Sequence, residues 1–442
     1  MRSMEYKHYL LLLLTVVATF NYLDRFVLSL LMEPIKAEFD LSDSQLGFLS
    51  GFAFASFYAV AGIPIARWAD RGNRNWIITL TTGLWSVMVA VCGLVGSFTQ
   101  LLLVRVGVAV GEAGCLPPAS SIIADYFDRS ERPKAMAIYW LCGPLSIIIG
   151  YLGGGWLAEY FGWRMTFIII GVPGVFLALL VRYTFREPRL QSNKIIVEKQ
   201  PAFLEVLRII WQRRALRSIV VAFSVAYFFG LGFAQWLPAF FMRTHGMETG
   251  EIGTLFAATW GLLGLGGTYI GGILITRYAT RREGLQVRWI AAGFFLSGIF
   301  YVLVFASSNQ YHAIGYMALA GIINAMCNGP IFSCVQSLVN EQMRSLTLAL
   351  IFLLANFIGL GLGPLAVGVL SDFFVPRFGD DSLRYALMAF APGLACVGFF
   401  YWRAGKTIEA DILEAESSSS RTDSVPPEQA SVLTDKTGVA DA

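Results

Sequence analysis

Four ionisable residues sit inside long apolar runs, and their types and spacing suit proton handling. Asp24 and Arg25 lie in the run 9–32, and Arg105 and Glu112 lie in the run 101–123. Charges at such depth are costly and mark ion or substrate pathways. If the runs are helices crossing in opposite directions, Asp24 lies roughly 22 Å from the start of its helix and Arg105 about 6 Å from the start of its own. In an apolar layer about 30 Å thick both fall at a similar depth, so an Asp24–Arg105 ion pair is geometrically allowed. Glu112 follows Arg105 by seven residues, deeper on the same helix face. With no cation within reach in its own helix, it should lose its water without gaining a partner, which disfavours its charged form. These groups would make a proton relay in which Glu112 or Asp24 titrates and Arg105 switches between them. Arg25 would supply a second cation or extend toward the surface. The competing reading is a static ion cluster that fixes one helix against the other.

The second half of the chain offers amides and aromatics instead of buried charge: Tyr227, Gln235, Asn324, Asn328 and Asn356. Such groups suit hydrogen bonding to a polar head within an apolar cavity. Each alone could equally be an interhelical contact. A third set lies in Ala66-Arg67-Trp68-Ala69-Asp70-Arg71-Gly72-Asn73-Arg74. Here Asp70 can cap or pair across to a neighbouring helix, while Arg71 and Arg74 can bond helix C-terminal carbonyls. That arrangement would be a conformational latch. Its competing reading is three charges that mark an inner loop.

The elements that carry these residues follow from composition. Of 442 residues, 56% are hydrophobic and only 14% are charged, so polar groups cannot cover a soluble surface. A membrane crossing takes about 20 apolar residues. Twelve such helices are expected, near 9–32, 45–66, 76–96, 101–123, 134–156, 164–183, 216–241, 251–275, 288–306, 312–338, 344–370 and 384–403. The first run exceeds a signal-peptide core and has no small-residue cleavage site, so it is read as a span. Of 33 Lys and Arg residues, 26 fall at the termini and in the loops on the terminal side, and 5 fall in the opposite loops. By the positive-inside rule both termini are expected in the cytoplasm, at the cell (inner) membrane.

Four segments are expected: a six-helix half over 1–184, a cytoplasmic linker over 185–215, a second six-helix half over 216–403, and a disordered tail over 404–442. Within the linker, 202–214 has the pattern of an amphipathic surface helix. The halves repeat each other. Gln45-Leu46-Gly47 and Asp70-Arg71 match Glu251-Ile252-Gly253 and Thr276-Arg277 at an offset of 206. Gly155 and Glu159 match Gly368 and Asp372 at an offset of 213. Duplicated six-helix units with a mid-membrane site are a transporter architecture.

Several classes are excluded. A net charge of +3 is too weak to suggest nucleic acid. Six scattered Cys without CxxC give no disulfide scaffold, and no HExxH or GxxxxGK[ST] points to zinc or ATP, so no cofactor is expected.

The loop around Asp70-Arg71-Gly72-Asn73-Arg74 resembles the GxxxDRxGR loop of the major facilitator superfamily, with Ala66 and Asn73 in place of its two glycines. Phe20-Asn21-Tyr22-Leu23-Asp24-Arg25, Arg105-x-Gly107-x3-Gly111-Glu112, Phe161-Gly162-Trp163-Arg164 and Arg186-Glu187-Pro188-Arg189 resemble the spinster branch of that superfamily. The resemblance implies an all-α transporter of twelve transmembrane helices, and a link to lysophospholipid or sphingoid-phosphate export. The function expected is therefore secondary active transport by alternating access. It would be proton-coupled, for an amphipathic anion such as a lysophospholipid, in a monomer within the lipid bilayer. The alternatives are a symporter or exporter of a hydrophilic organic anion or drug-like compound, and a multi-pass lipid-modifying membrane enzyme.

Overall fold

In the computed structural model the described residues are 3–128, 130–187, 203–280, 282–339 and 343–414, and all their regular structure is helical. The first half runs through α1 (Ser3–Phe39), α2 (Asp43–Gly47), α3 (Phe54–Arg71), α4 (Arg74–Cys92), α5 (Phe98–Glu112), α6 (Leu116–Tyr126), α7 (Arg132–Trp140) and α8 (Cys142–Thr184). A short helix, α9 (Phe203–Gln212), leads into α10 (Arg214–His245), α11 (Thr249–Phe256), α12 (Leu263–Tyr278) and α13 (Glu283–Ala306). The second half ends with α14 (Gln310–Ser337), α15 (Arg344–Asn356), α16 (Gly363–Phe378), α17 (Ser382–Phe390) and α18 (Gly393–Ala404).

Ten continuous stretches are long and apolar enough to cross a membrane. Two of them, Arg132–Thr184 with 53 residues and Leu346–Ala404 with 59, are more than double the ~20 residues that one crossing needs. Each holds two crossings, which makes twelve. The first doubles back at Gly162, whose φ of 75° belongs to the left-handed region where a side chain would be strained. Large apolar side chains such as Leu12, Val60, Leu103, Phe176, Tyr269 and Phe373 are exposed, as a lipid-facing surface requires. The chain is an integral multi-pass membrane protein.

Local signals set the helix ends that matter for the site. Ser42 and Gln45 form a capping box at the start of α2. Asn73 accepts from the Asn75 and Trp76 amides and starts α4. Three crossings carry a π-turn: Phe48–Ala53 between α2 and α3, Ala257–Leu262 between α11 and α12, and Phe357–Leu362 between α15 and α16. All three lie where the halves meet. The first packs on the third, and the second packs on α8. A π-turn inserts an extra residue into the ladder and re-aims the side chains that follow it.

The chain beyond α18 differs from the disordered tail expected from 404. Residues 408–414 are helical. Ile408 is buried, and Asp411 accepts a 2.7 Å hydrogen bond from the Ala215 amide at the start of α10. Two isoleucines a turn apart, Ile408 and Ile412, give this segment an apolar face that the bundle covers. Residues 188–202 of the expected linker and 415–442 of the expected tail lie outside the described residues.

Candidate functional site

α1 and α5 position four buried charges. Arg105 Nη1 donates to Asp24 Oδ2 at 2.6 Å. Arg25 donates through Nε and Nη2 to Glu112 Oε2, at 3.0 and 2.6 Å. Asp24 and Glu112 are fully buried, and the Arg105 side chain is 2% exposed, whereas that of Arg25 is 18% exposed. Arg25 is therefore the cation of this cluster that water or a ligand can reach.

The second oxygen of each carboxylate, Asp24 Oδ1 and Glu112 Oε1, has no hydrogen-bond partner. Each carboxylate therefore keeps one buried oxygen with acceptor capacity unused, or a site for a proton. Glu112 also closes α5, where the negative end of the helix dipole disfavours a carboxylate.

Phe54 lies between the two guanidinium groups, 4.8 Å from Arg25 and 5.2 Å from Arg105. It is the first residue after the π-turn Phe48–Ala53. Tyr22 and Tyr58 complete the surround of Arg25, at 5.1 and 5.3 Å. Aromatic faces stabilise a desolvated cation without neutralising it. The sequence left Glu112 without a cation and had Arg105 switching between two acids. Here each carboxylate has its own arginine, because neighbouring residues of α1 point to successive faces and Arg25 reaches the acid that Asp24 does not.

The side away from the termini is locked across the halves. Arg243 of α10 donates to both oxygens of Asp43 at 2.8 and 2.7 Å, and to Glu33 at 2.6 Å. Lys36 and Ser371 also donate to Asp43, at 2.5 and 2.6 Å. Asp372 accepts from the Asp43 and Ser44 amides at the start of α2, at 3.0 and 2.8 Å. The equivalent carboxylate of the first half, Glu159, accepts from the Gly250 amide in the first turn of α11 at 2.9 Å. Gly155 and Gly368 stand one turn before these acids, and a Cβ at either would overlap the facing backbone. Among the described residues, the hydrogen bonds joining the halves all lie from mid-membrane toward this side.

On the terminal side, Arg74 is fully buried within the first half. It pairs with Glu187 and with Asp125 at 2.6 Å, and donates to Ser121 at 2.8 Å. Arg74 thus ties α4 to the ends of α6 and α8, not to helix C-terminal carbonyls. Asp70 and Arg71 are in the last turn of α3, and their side chains lie outside the described residues. Nearby, Lys7 pairs with Glu131 at 2.8 Å and holds its carboxyl below the usual carboxylate range.

The polar residues of the second half are scattered. Gln235 donates to Met32 Sδ across the halves. Asn356 donates to the Phe352 carbonyl in its own helix. Tyr227 packs on the Phe223 and Phe352 rings. Asn328 is exposed, and Asn324 Oδ1 is buried without a partner. Among the described residues no group of three or more His, Cys, Asp or Glu could hold a metal.

The sequence profile of the Major Facilitator Superfamily matches residues 14–364. The chain belongs to that superfamily. A relative named "MFS-type efflux pump", from Mycolicibacterium smegmatis, is 34% identical over 405 residues, which is 91% of this chain and 93% of that protein. The "Probable L-galactonate transporter" of Escherichia coli is 27% identical over 382 residues, 82% of each chain. A crystal structure of a bacterial homologue of the human lysosomal transporter Spinster, inward-facing and unoccupied, superposes with a TM-score of 0.84 at 31% identity. It covers 92% of this chain and 98% of that one. This major facilitator is thus of the spinster type, a transporter and not an enzyme.

Within the superfamily frame, one departure and one motif gain physical reasons. Asn73 stands where the family loop has glycine because it caps α4. Trp163 Nε1 donates to Glu38 Oε2 at 2.7 Å, and Arg164 donates to Glu38 Oε1 and to the Val95 carbonyl. The Phe-Gly-Trp-Arg run therefore ties the turn of α8 to the ends of α1 and α4. Sequence reasoning missed Phe54, Tyr22 and Tyr58, since aromatics abound in every span. It also missed the Asp43–Arg243 lock, although the matched Glu159 and Asp372 were a signal for it.

Proposed function

We propose that this transporter is proton-coupled and carries an amphipathic organic anion, with the Asp24–Arg105 and Arg25–Glu112 pairs as the coupling element. The observation that carries this is the pair of buried carboxylates, each with one unpartnered oxygen, beside the single reachable cation of the cluster. A proton taken up by Glu112 neutralises it and releases Arg25. The freed guanidinium, framed by Tyr22, Phe54 and Tyr58, then offers a charge and three aromatic faces to an anionic head with an apolar tail. Tyr227, Gln235, Asn324, Asn328 and Asn356 would contact the polar part from the second half. Asp70, Arg71 and Arg74 would act in the alternate conformation, as a latch on the terminal side.

The charge distribution supports cytoplasmic termini at the inner membrane. On that reading the locked side is external and the conformation is inward-facing. The lysophospholipid or sphingoid-phosphate class follows from the spinster resemblance. The relatives named for efflux and for L-galactonate favour a second reading, export or symport of a drug-like compound or hydrophilic organic anion. Both readings place the anion at Arg25.

The test is flux driven by a pH gradient in proteoliposomes. Glu112→Gln should abolish the response to the gradient and leave passive exchange intact. A full response in that variant would return the cluster to a static structural role.

A further inference from the structure

α9 joins α10 through a single extended residue, Arg213, with φ −78° and ψ 117°, so the chain turns a corner where the seventh crossing begins. Val206 and Ile210 form one face of α9 and are buried against the bundle, where α9 packs on α10 and α15. A second face is apolar and bare: Leu207 is 40% exposed and Trp211, one turn on, is 68% exposed. Arg208 and Gln212 form the third face, and both are exposed. A helix lying in water has no reason to keep a bare tryptophan beside a bare leucine. A helix at the membrane interface does, with one face on the protein, one in lipid and one in water.

Arg217, in the first turn of α10, lays its guanidinium 5.7 Å over the Trp211 ring and donates to the Trp211 carbonyl at 3.2 Å. Arg214 is exposed three residues earlier on the same face. Arg208, Arg214 and Arg217 form no ion pair with any described acid. Arg213 differs: it donates to the Leu338 carbonyl, and Asp411 and Glu414 of the segment after α18 face it. Glu205 belongs to α9, and its side chain lies outside the described residues.

We propose that Arg208, Trp211, Arg214 and Arg217 seat the phosphate headgroup of an anionic phospholipid in the leaflet on the terminal side. Charge complementarity selects the occupant. Three arginines that form no ion pair with a described acid, close in sequence to a tryptophan at the level where a crossing begins, match a headgroup phosphate with its acyl chains against Leu207. The proposal needs only a membrane protein and stands apart from the coupling element and its substrate. Because α9 packs on α15, an occupied seat also braces a helix of the second half.

The experiment uses the full chain in liposomes of phosphatidylcholine with and without phosphatidylglycerol. Brominated phosphatidylglycerol should quench the Trp211 share of fluorescence, defined by difference with Trp211→Phe, more than brominated phosphatidylcholine at equal mole fraction. Native mass spectrometry should show phosphatidylglycerol retained by the wild type. Retention should fall about tenfold or more in the triple variant Arg208→Gln, Arg214→Gln, Arg217→Gln. Equal quenching by the two lipids, or equal retention by the triple variant and the wild type, would overturn the site. If the triple variant does not fold, Arg214→Gln alone, at an exposed position with no described side-chain bond, serves the same comparison.

Discussion

Arg243 grips both carboxylate oxygens of Asp43, at 2.8 and 2.7 Å, and the two residues belong to opposite halves of the transporter. Asp43 is 1% exposed, so its carboxylate is dry, and Lys36 and Ser371 use its remaining lone pairs. A buried pair with every partner satisfied gives modest net stability, and loss of Arg243 leaves Asp43 with Lys36 and Ser371 as its side-chain donors, a cost below the ~3–5 kcal/mol of a wholly unpaired buried charge. That asymmetry makes the contact a switch. Intact, it favours the shut state of this side, and broken, it should favour separation of the halves, where water can reach the under-paired carboxylate.

Arg243→Gln should therefore bias the transporter toward the state open on this side. Spin labels at positions 40 and 246, in a background without the native cysteines, would report the separation of the halves. A longer and broader distance distribution is expected than in the parent. An unchanged distribution would mean that the glycine contacts alone hold the closure.

Glu159 and Asp372 are the paired caps of the same closure, one at the start of α11 and one at the start of α2. Replacing a helix cap costs about 0.5–2 kcal/mol. Glu159→Gln and Asp372→Asn should each shift the same label distance by less than Arg243→Gln does. The two caps sit on separate seams, so their effects should add. Strong non-additivity would show that the seams open as one unit.

The sequence made these two acids visible, but only as a repeat. Gly155-x3-Glu159 and Gly368-x3-Asp372 stand at the same place in each half, and that marked duplication without revealing what the acids bond. Their partners are backbone amides, which carry no residue signature. Twelve crossings, two halves and the Asp24–Arg105 pair were legible because apolar run length and charge position encode them directly. Arg25 was ambiguous, since one residue along a helix turns a side chain to a new face that only packing identifies. Phe54 was illegible. Its placement depends on the π-turn before it, and 34 phenylalanines in the chain hide it.

Mutation can separate a structural role of the terminal-side loop from the latch role proposed for it. Arg74 is walled in by Glu187 and Asp125, so Glu187→Gln should lower thermal stability by about 1.5–3 kcal/mol, Asp125 still pairing with the arginine. Label distances between the halves should not change. Asp70→Asn is the opposite case: stability should hold while turnover slows and the terminal side stays open longer. Normal transport in Asp70→Asn combined with Arg71→Ala would reduce this loop to a topology signal.

Orientation has its own test. Cysteines introduced at positions 193 and 430, in the linker and the tail, should resist a membrane-impermeant maleimide added outside intact cells and react once the cells are opened. Labelling of either from outside contradicts cytoplasmic termini and would reverse which side the Asp43–Arg243 lock faces.

The final prediction separates coupling from binding at Arg25 and Glu112. If protonated Glu112 frees Arg25, then Glu112→Gln mimics the protonated state permanently. Anion binding should persist in that variant and lose its dependence on pH. Arg25→Gln removes the cation itself, so binding should weaken by about tenfold or more, roughly 1.4 kcal/mol. The double variant should then behave as Arg25→Gln does, because Glu112 would act only through Arg25. Thermal-shift titration with lysolipids, sugar acids and sugars at two pH values measures all four proteins on one scale. Stabilisation by lysolipids without stabilisation by sugar acids would support the amphipath over the hydrophilic anion. If Glu112→Gln weakens binding as much as Arg25→Gln does, both side chains contact the substrate, and the proton must be carried by Asp24 or by another group.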